Sequence, residues 1–206
     1  MAKQVAHEIK NPLTPMKLSI QQLQRAWDDK HPNLDMYFSK VTATLVEQIE
    51  NLSNIASEFS SFAQMPKTKN EIINLESTIK QAINLFEHNK VNIILSLQDE
   101  KTFMVYADKE QLCRVFINLI TNSIQAMHNT QDATIEIALK ASGNMAVIDF
   151  SDNGPGISDE NLGKLFRPNF TTKTSGSGLG LAICKKIIDN ANGSIEYLTS
   201  NQGAHF

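Results

Sequence analysis

The sequence predicts an α+β protein in which an antiparallel helical hairpin precedes a separate domain of alternating strands and helices. Up to Phe62 the apolar residues repeat every three or four positions, which is the spacing of a helix packed along a narrow seam. The segment 64–70 then contains a proline and polar side chains without periodicity, as linkers do. Beyond it, short apolar runs alternate with helical spacing. We therefore expect a hairpin in 1–65, a linker in 66–71 and a second domain in 72–206.

Length and composition are those of an ordinary globular protein. The chain has 206 residues, of which 41% are hydrophobic and 20% charged, so it can bury a core. The net charge of -3 offers no basic field for a phosphodiester backbone, so nucleic acid is not an expected partner. Cys113 and Cys184 are too distant for a disulfide framework or a zinc site, and reduced cytoplasmic thiols are expected. No apolar run approaches the ~20 residues that span a bilayer, and the first residues do not form a signal peptide.

Two apolar series separated by a polar break at 28–33 predict the helices of the hairpin. A fully buried seam residue contributes about 1.5–3 kcal/mol. Because two helices alone leave the far side of the seam uncovered, we expect two hairpins to dimerise into a four-helix bundle. The first series is Ile9, Leu13, Met16, Ile20, Leu23 and Trp27, and the second is Phe38, Val41, Leu45, Gln48, Leu52, Ile55, Phe59 and Phe62.

The run from His7 to Pro15 places a histidine, an acid, a base and a carboxamide close together on the first helix. Extending the seam backwards puts His7 about 100° away from it, so the imidazole is expected to point outward. Asn11 lies one turn further along on the same face, whereas Glu8 does not face His7 on an ideal helix. These residues alone leave two interpretations open, namely an ordinary surface histidine and a chemically modified one.

Apolar spacing and capping signals predict the elements of the second domain. Asp108 can cap a helix that runs to about Met127, with Gln111 as its capping-box partner. The other expected helices lie at 76–88 and 182–191, and the expected strands at 72–75, 91–97, 102–106, 134–139, 145–151, 194–198 and 204–206.

Polar residues interrupt two of these patterns. Asn118 and Asn122 lie one turn apart within the predicted helix, although asparagine is a mediocre helix former. A solvated face would explain them, and so would a pair of amide oxygens aimed at a metal–phosphate group. Asp152 ends an apolar strand face, where a carboxylate must be paired or hydrogen-bonded. Its partner is either a ligand amino group or a capped turn at 152–154.

The segment 153–177 is long, contains glycine and is weakly periodic, which is typical of a functional lid or a disordered segment. It combines aromatic residues with cations and ends in glycines that lead into the last helix. Backbone N–H groups at such a helix start suit an anion, although a flexible turn has the same sequence, and the pattern is not that of a P-loop. The residues concerned are Phe166, Arg167, Phe170, Thr172, Lys173, Gly176, Gly178, Leu179 and Gly180.

Five motifs in one order resemble those of sensor histidine kinases, over nearly the whole chain. The run at His7 is similar to the H box, and its proline-rich form is closest to the nitrogen-regulation type. The segments similar to the N box, the first glycine box, the F box and the second glycine box are 113–127, 152–157, 166–173 and 176–180. The resemblance implies a HisKA-type dimerisation hairpin followed by a GHKL-type α/β sandwich with a mixed sheet and a long lid.

The resemblance also implies the reaction. His7 would accept the γ-phosphoryl group of ATP, Glu8 would assist as a hydrogen-bonding base, and Asn11 would position water for dephosphorylating a response regulator. The phosphoryl group would pass from His7 to an aspartate of that regulator. Sensing and membrane segments would lie outside this sequence, with the catalytic part in the cytoplasm and the full-length parent anchored in the inner membrane.

A nucleotide site in the second domain is implied as well. Asn122, with Asn118, would hold Mg²⁺ against the phosphates of ATP, and Asp152 would accept from the adenine amino group. Two alternatives remain, an ATP-hydrolysing clamp of the gyrase and mismatch-repair kind and a non-catalytic nucleotide-binding dimerisation module. The clamp enzymes have glutamate where Asn118 stands. The other implied nucleotide-binding residues are Gly154, Gly156, Phe166, Phe170, Thr172, Lys173, Gly176, Gly178, Leu179 and Gly180.

Overall fold

The computed structural model of the chain describes residues 2–63, 68–98, 102–173, 178–200 and 202–206. The chain forms two compact units. One comprises Met1–Met65 with Asn169–Leu179, and the other comprises Pro66–Pro168 with Gly180–Phe206. The first contains two long helices and the second a mixed sheet with helices, so the predicted α+β class is confirmed.

Two long helices form the hairpin of the first unit. Helix α1 spans Ala2–Asp28 and helix α2 spans Leu34–Ala63, and the two pack against each other. The predicted break is the turn between them, where Lys30 adopts a φ of 49° and the Asn33 N–H donates to His31 Nδ1 at 3.2 Å. In the described part of the chain, no helix combines the length and the apolarity needed to cross a membrane.

The α1 seam is largely open to solvent in the single chain. Leu13, Ile20 and Trp27 are 47%, 43% and 68% exposed. The buried side chains described on α1 are those of Pro12 and Ala26, which lie about 60–100° around the helix from the seam line. Leu13, Ile20 and Trp27 therefore form an apolar stripe that the chain itself leaves uncovered, whereas Ile9, Met16 and Leu23 are half-buried.

The second unit contains two small sheets and the remaining helices. In the three-stranded sheet the order is β2-β4-β5, with β2 parallel and β5 antiparallel to β4, and in the two-stranded sheet β1 and β3 are antiparallel. The strands are β1 Glu71–Asn74, β2 Asn92–Leu97, β3 Met104–Ala107, β4 Thr134–Ser142 and β5 Met145–Asp152, and the helices are α3 Leu75–Asn84, α4 Lys109–Ala126, α5 Asp159–Leu162 and α6 Gly180–Asn190.

Period-two alternation along β4 builds the core of this unit. Ile135, Ile137 and Leu139 point to one face of the sheet and are fully buried, while Glu136 between them is exposed. Helix α4 packs against both α3 and α6, and each of the three helices contributes fully buried apolar residues. This packing holds α4, which carries Asn118 and Asn122, next to the start of α6.

The structure differs from the predicted elements at the end of α3, at 194–198 and in the lid, and the ends of other elements, such as α6, are shifted by one to three residues. Helix α3 ends at Asn84 instead of residue 88, because the next residues form tighter i→i−3 hydrogen bonds. The segment 194–198 does not form a strand, although the Leu198 N–H donates to the His205 carbonyl oxygen at 2.8 Å. Residues 204–206 do run antiparallel to β5, with a bridge between Ser151 and His205. Within the predicted lid, acidic residues follow Ser158 and start the short helix α5.

The predicted cap of α4 by Asp108 is confirmed. Its Oδ1 accepts from the Gln111 N–H at 3.1 Å, and its Oδ2 accepts from the Lys69 N–H at 2.8 Å. One carboxylate therefore both starts α4 and holds the segment that precedes β1.

Replacing Asp108 by alanine should lower the free energy of unfolding by about 1–2 kcal/mol, because the first turn of α4 loses its cap. Asp108→Asn should retain only part of the stability, since its one amide oxygen can still accept from the Gln111 N–H but its NH2 group cannot accept from the Lys69 N–H. Ser158→Ala is the matched control, because Ser158 is the N-cap of α5 without a side-chain capping bond and its Oγ accepts only from the exposed Asn161 amide at 2.8 Å; it should cost less than about 0.5 kcal/mol. Denaturant unfolding compares the three, and equal losses in Asp108→Ala and Ser158→Ala would contradict the assigned role.

Candidate functional site

Asp152 stands at the end of β5 and is only 7% exposed. Its Oδ1 accepts from the N–H groups of Gly154 and Ala204, each at 3.0 Å, and its Oδ2 accepts from the Ser123 hydroxyl at 2.5 Å. The bond to Gly154 forms a capped turn at 152–154, which is one of the two interpretations that the sequence allowed for Asp152. The described residues thus fill three of the roughly four acceptor positions of a carboxylate. A capped turn and a ligand amino group are therefore compatible at this aspartate.

Backbone segments approach Asp152 so closely that only glycine fits beside it. A Cβ at Gly203 would lie 1.6 Å from the Asp152 carbonyl oxygen, and Gly203 has a φ of +72°. At Gly156, whose φ is +73°, a Cβ would lie 3.0 Å from the Gly203 carbonyl oxygen, and at Gly154 it would lie 2.9 Å from Met127 Cγ. The Cβ positions of these three glycines are therefore taken by other atoms of the protein.

Asn118 and Asn122 lie beside the first residue of α6. A Cβ built on Gly180 would be 3.7 Å from Asn118 Oδ1 and 4.0 Å from Asn122 Nδ2. The Nδ2 atom of Asn118 is buried, and the Asn118 amide lies close to the Cys184 thiol. The structure thus brings the predicted pair of asparagines to a helix start, where the first N–H groups have no intrahelical acceptor.

Cys184 lies one turn further along α6 and behaves as a core residue. Its Sγ donates to the Val115 carbonyl oxygen at 3.8 Å, and burial raises the pKa of the thiol to about 12. Cys113 is also free and buried. Both are the reduced thiols that the sequence predicts.

Two aromatic residues of the lid have different surroundings. Phe166 packs edge-on against Phe206 with ring centroids 6.3 Å apart, and Phe206 packs in the same way against Tyr197. Phe170 is half-buried, and its carbonyl oxygen would lie 2.6 Å from a Cβ on Gly178, whose φ is +62°. Asn169 N–H donates to the Gly178 carbonyl oxygen at 3.0 Å and closes this part of the lid on itself.

The remaining predicted lid residues are placed as follows. Thr172 is exposed and Leu179 is buried. Lys173 is half-buried, and its backbone N–H donates to Thr171 Oγ1 at 3.1 Å. Gly176 lies outside the described residues.

The predicted phosphorylation motif lies within α1. The side chains of His7 and Glu8 lie outside the described part of the structure, and the side chain of Asn11 is exposed. Helix α1 runs through Pro12 and Pro15. Because proline has no N–H, the carbonyl groups of Glu8 and Asn11 lose their usual helical donors.

Sequence reasoning missed three residues of this site, namely Ser123, Gly203 and Ala204. Ser123 follows Asn122 directly, but a serine in a helix carries no signal of a distant carboxylate. Gly203 is one glycine in a short polar segment, which is typical of any turn. The roles of Gly203 and Ala204 depend on the approach of the chain's last residues to β5.

Comparisons with known proteins agree on the family. The His Kinase A (phospho-acceptor) domain family matches residues 1–67, and the family of histidine kinase-, DNA gyrase B- and HSP90-like ATPases matches residues 107–206. The catalytic domain of histidine kinase ThkA is 31% identical with a TM-score of 0.61, and the match covers 67% of this chain and 92% of that one. This chain belongs to the sensor histidine kinases. The predicted resemblance is thereby confirmed.

NtrY and a longer structure of ThkA match the chain over nearly its whole length. Nitrogen regulation protein NtrY of Azorhizobium caulinodans is 31% identical over 98% of this chain and 27% of that protein. Histidine kinase ThkA in its complex with response regulator protein TrrA is 27% identical with a TM-score of 0.76, over 100% of this chain and 59% of that one. The chain spans about a third of the length of the curated kinases it matches. The match to NtrY agrees with the nitrogen-regulation form of the H box.

Gly203→Ala should lower the free energy of unfolding by about 2–5 kcal/mol, because left-handed strain adds to a collision with the Asp152 carbonyl group. Gly143→Ala is the matched control, since Gly143 has a φ of +60° but nothing within 4 Å of its Cβ position. Its free energy of unfolding should fall by only about 1–2 kcal/mol, because the alanine adds left-handed strain without a collision. Denaturant unfolding measures both, and similar losses would show that the close approach at Gly203 does not matter.

Proposed function

We propose that this chain uses ATP to phosphorylate His7 and passes the phosphoryl group to an aspartate of a response regulator. The observation that carries the proposal is the position of Gly180, at the start of α6, beside Asn118 and Asn122. A helix start supplies N–H groups to phosphate oxygens, and amide oxygens suit Mg²⁺. The hairpin that contains His7 matches a phospho-acceptor family, which supplies the acceptor for the phosphoryl group.

The residues of the second domain fit a magnesium nucleotide. Asn118 and Asn122 would hold Mg²⁺ through their amide oxygens. Among the described residues, no cluster of His, Cys, Asp or Glu could hold a metal ion, so the ligands here would be amide and phosphate oxygens. Mg²⁺ would neutralise charge on the phosphates, which is the main requirement of phosphoryl transfer.

Asp152 would receive the base of the nucleotide. Its remaining acceptor position suits the amino group of adenine, since the other positions hold three fixed donors. The rest of the predicted set, namely Gly154, Gly156, Phe166, Phe170, Thr172, Lys173, Gly176, Gly178, Leu179 and Gly180, would enclose the base and the phosphates.

His7 would act as the nucleophile, with Glu8 as its hydrogen-bonding base. The reaction breaks the bond between the γ-phosphorus and the bridging oxygen of ATP and forms a bond from that phosphorus to an imidazole nitrogen. Asn11 would hold a water molecule for dephosphorylating the regulator, and its exposed side chain is compatible with that role. The relative ThkA forms a complex with the response regulator TrrA, which supports a partner of the same class.

The gyrase-like ATPase is the less supported alternative. The family that matches 107–206 includes such enzymes, but this chain has Asn118 where they carry a water-activating glutamate, and it has a phospho-acceptor hairpin. The division into a hairpin in 1–65, a linker in 66–71 and a catalytic domain in 72–206 is part of this proposal. So are a cytoplasmic location of this part and a membrane anchor elsewhere in the parent protein.

Homodimerisation would occur through the stripe of Leu13, Ile20 and Trp27 on α1. These residues are exposed in the single chain and follow one another every seven positions, as residues of a helical-bundle seam do. A second hairpin would cover the stripe and complete a four-helix bundle.

Incubation of the chain with γ-labelled ATP and Mg²⁺ should produce an acid-labile label on the wild type. His7→Gln should bind ATP normally without becoming labelled, whereas Asp152→Ala should lose about 1–3 kcal/mol of ATP binding together with the label. Calorimetry and autoradiography read the two effects separately. A label that persists in His7→Gln would refute His7 as the acceptor, and steady ATP turnover without any labelled protein would favour the gyrase-like alternative.

Ile20→Lys should shift the chain from dimer to monomer, because it places a charge in the apolar seam. Leu18→Lys is the matched control, since Leu18 is 54% exposed and lies about 160° around α1 from Ile20. Sedimentation equilibrium over a range of concentrations measures both variants. A wild-type monomer, or equal dissociation by the two substitutions, would be evidence against this interface.

A further inference from the structure

A buried hydroxyl group connects the two parts of the proposed nucleotide site. Ser123 follows Asn122 on α4 and is only 3% exposed. Its Oγ donates to Asp152 Oδ2 at 2.5 Å, across from α4 to the end of β5. The same turn of α4 therefore carries a proposed magnesium ligand and a direct contact to the proposed base acceptor.

The hydrogen bonds around Asp152 fix the orientation of its carboxylate. Both N–H donors, from Gly154 and Ala204, bind Oδ1, and they belong to the backbone. Ser123 supplies the side-chain donor, and it binds Oδ2. Rotation of the carboxylate would break these buried bonds, which is unfavourable for a charged group. The remaining acceptor position is consequently on Oδ2 and has a set direction.

We propose that Ser123 is a positioning residue that makes the site selective for a base with an amino group. The inference rests on the proposed function, because it requires that Asp152 accepts from the base. The Ser123 hydroxyl already donates to Oδ2, so a ligand must bring its own donor to the last position. A base with a carbonyl oxygen in place of the amino group would bring that oxygen against Asp152 Oδ2, so two acceptors would face each other. The remaining acceptor position of the buried carboxylate would then stay unpaired.

Without the hydroxyl, Oδ2 would lose its only described donor, and the carboxylate would be held through the two backbone bonds to Oδ1 alone. Selectivity would then fall along with affinity. A purely structural role predicts a different result, namely lower stability with equal effects on every nucleotide. The ratio of affinities for two bases therefore separates a positioning role from a structural one.

The experiment compares ATP with inosine triphosphate, which has a carbonyl oxygen where ATP has the amino group. Calorimetry with Mg²⁺ on the full chain should show that Ser123→Ala binds ATP about tenfold more weakly, because Asp152 Oδ2 is no longer held in the direction of the amino group. Binding of inosine triphosphate should change less than about twofold, since it brings no amino group to Oδ2. Ser123→Thr retains the hydroxyl and should restore the preference for ATP.

Thr78→Val is the matched control for the loss of a buried hydroxyl. Thr78 is fully buried on α3, and its Oγ1 donates to the Asn74 carbonyl oxygen at 3.0 Å, outside the proposed site. This variant should melt at a lower temperature with an unchanged ratio of the two affinities. If Ser123→Ala does not fold, Ser123→Cys, whose thiol is a weaker donor, should give an intermediate ratio.

If Ser123→Ala or Ser123→Cys leaves the ratio of the affinities for ATP and inosine triphosphate unchanged, even with both affinities lowered, the proposed role of Ser123 would be overturned. In that case the wild type would still prefer ATP, and the proposed function would stand. A wild type that binds neither nucleotide would overturn the proposed function and, with it, this inference.

Discussion

The second unit depends on the burial of one carboxylate. Asp152 is nearly inaccessible to solvent, so its charge must be compensated by hydrogen bonds inside the protein. Ser123, Gly154 and Ala204 supply the donors. These donors come from a helix, from the turn after β5 and from the last residues of the chain. Because backbone N–H groups must come this close, Gly203 has no room for a side chain.

Helix α4 relates this carboxylate to the proposed phosphate end of the site. It carries Ser123, which contacts Asp152, and the pair Asn118 and Asn122, which lies against the first turn of α6. The packing of α4 between α3 and α6 holds both faces of the helix in place. One rigid element thus positions the groups proposed for the base and for the metal, as phosphoryl transfer requires.

Much of the fold and part of the site could be predicted, because the relevant patterns are local. Spacing along the helices predicted the hairpin and placed Asn118 and Asn122 on one face, and alternation along β5 predicted that Asp152 is buried. The prediction of a strand at 194–198 was wrong, since apolar content alone does not create a ladder partner. The end of α3 was missed because apolar spacing does not distinguish an α-helical turn from a tighter one.

By itself, the sequence determined the order of the motifs, the faces of the helices and the membership in the sensor histidine kinases, because these depend on residues close together in the chain. Only the tertiary structure decided which groups bind Asp152. Ser123 and Ala204 lie 29 and 52 positions away from it, and such contacts leave no periodic pattern. The direction of the free acceptor position, and the requirement for glycine at 203, arise when the end of the chain packs beside β5.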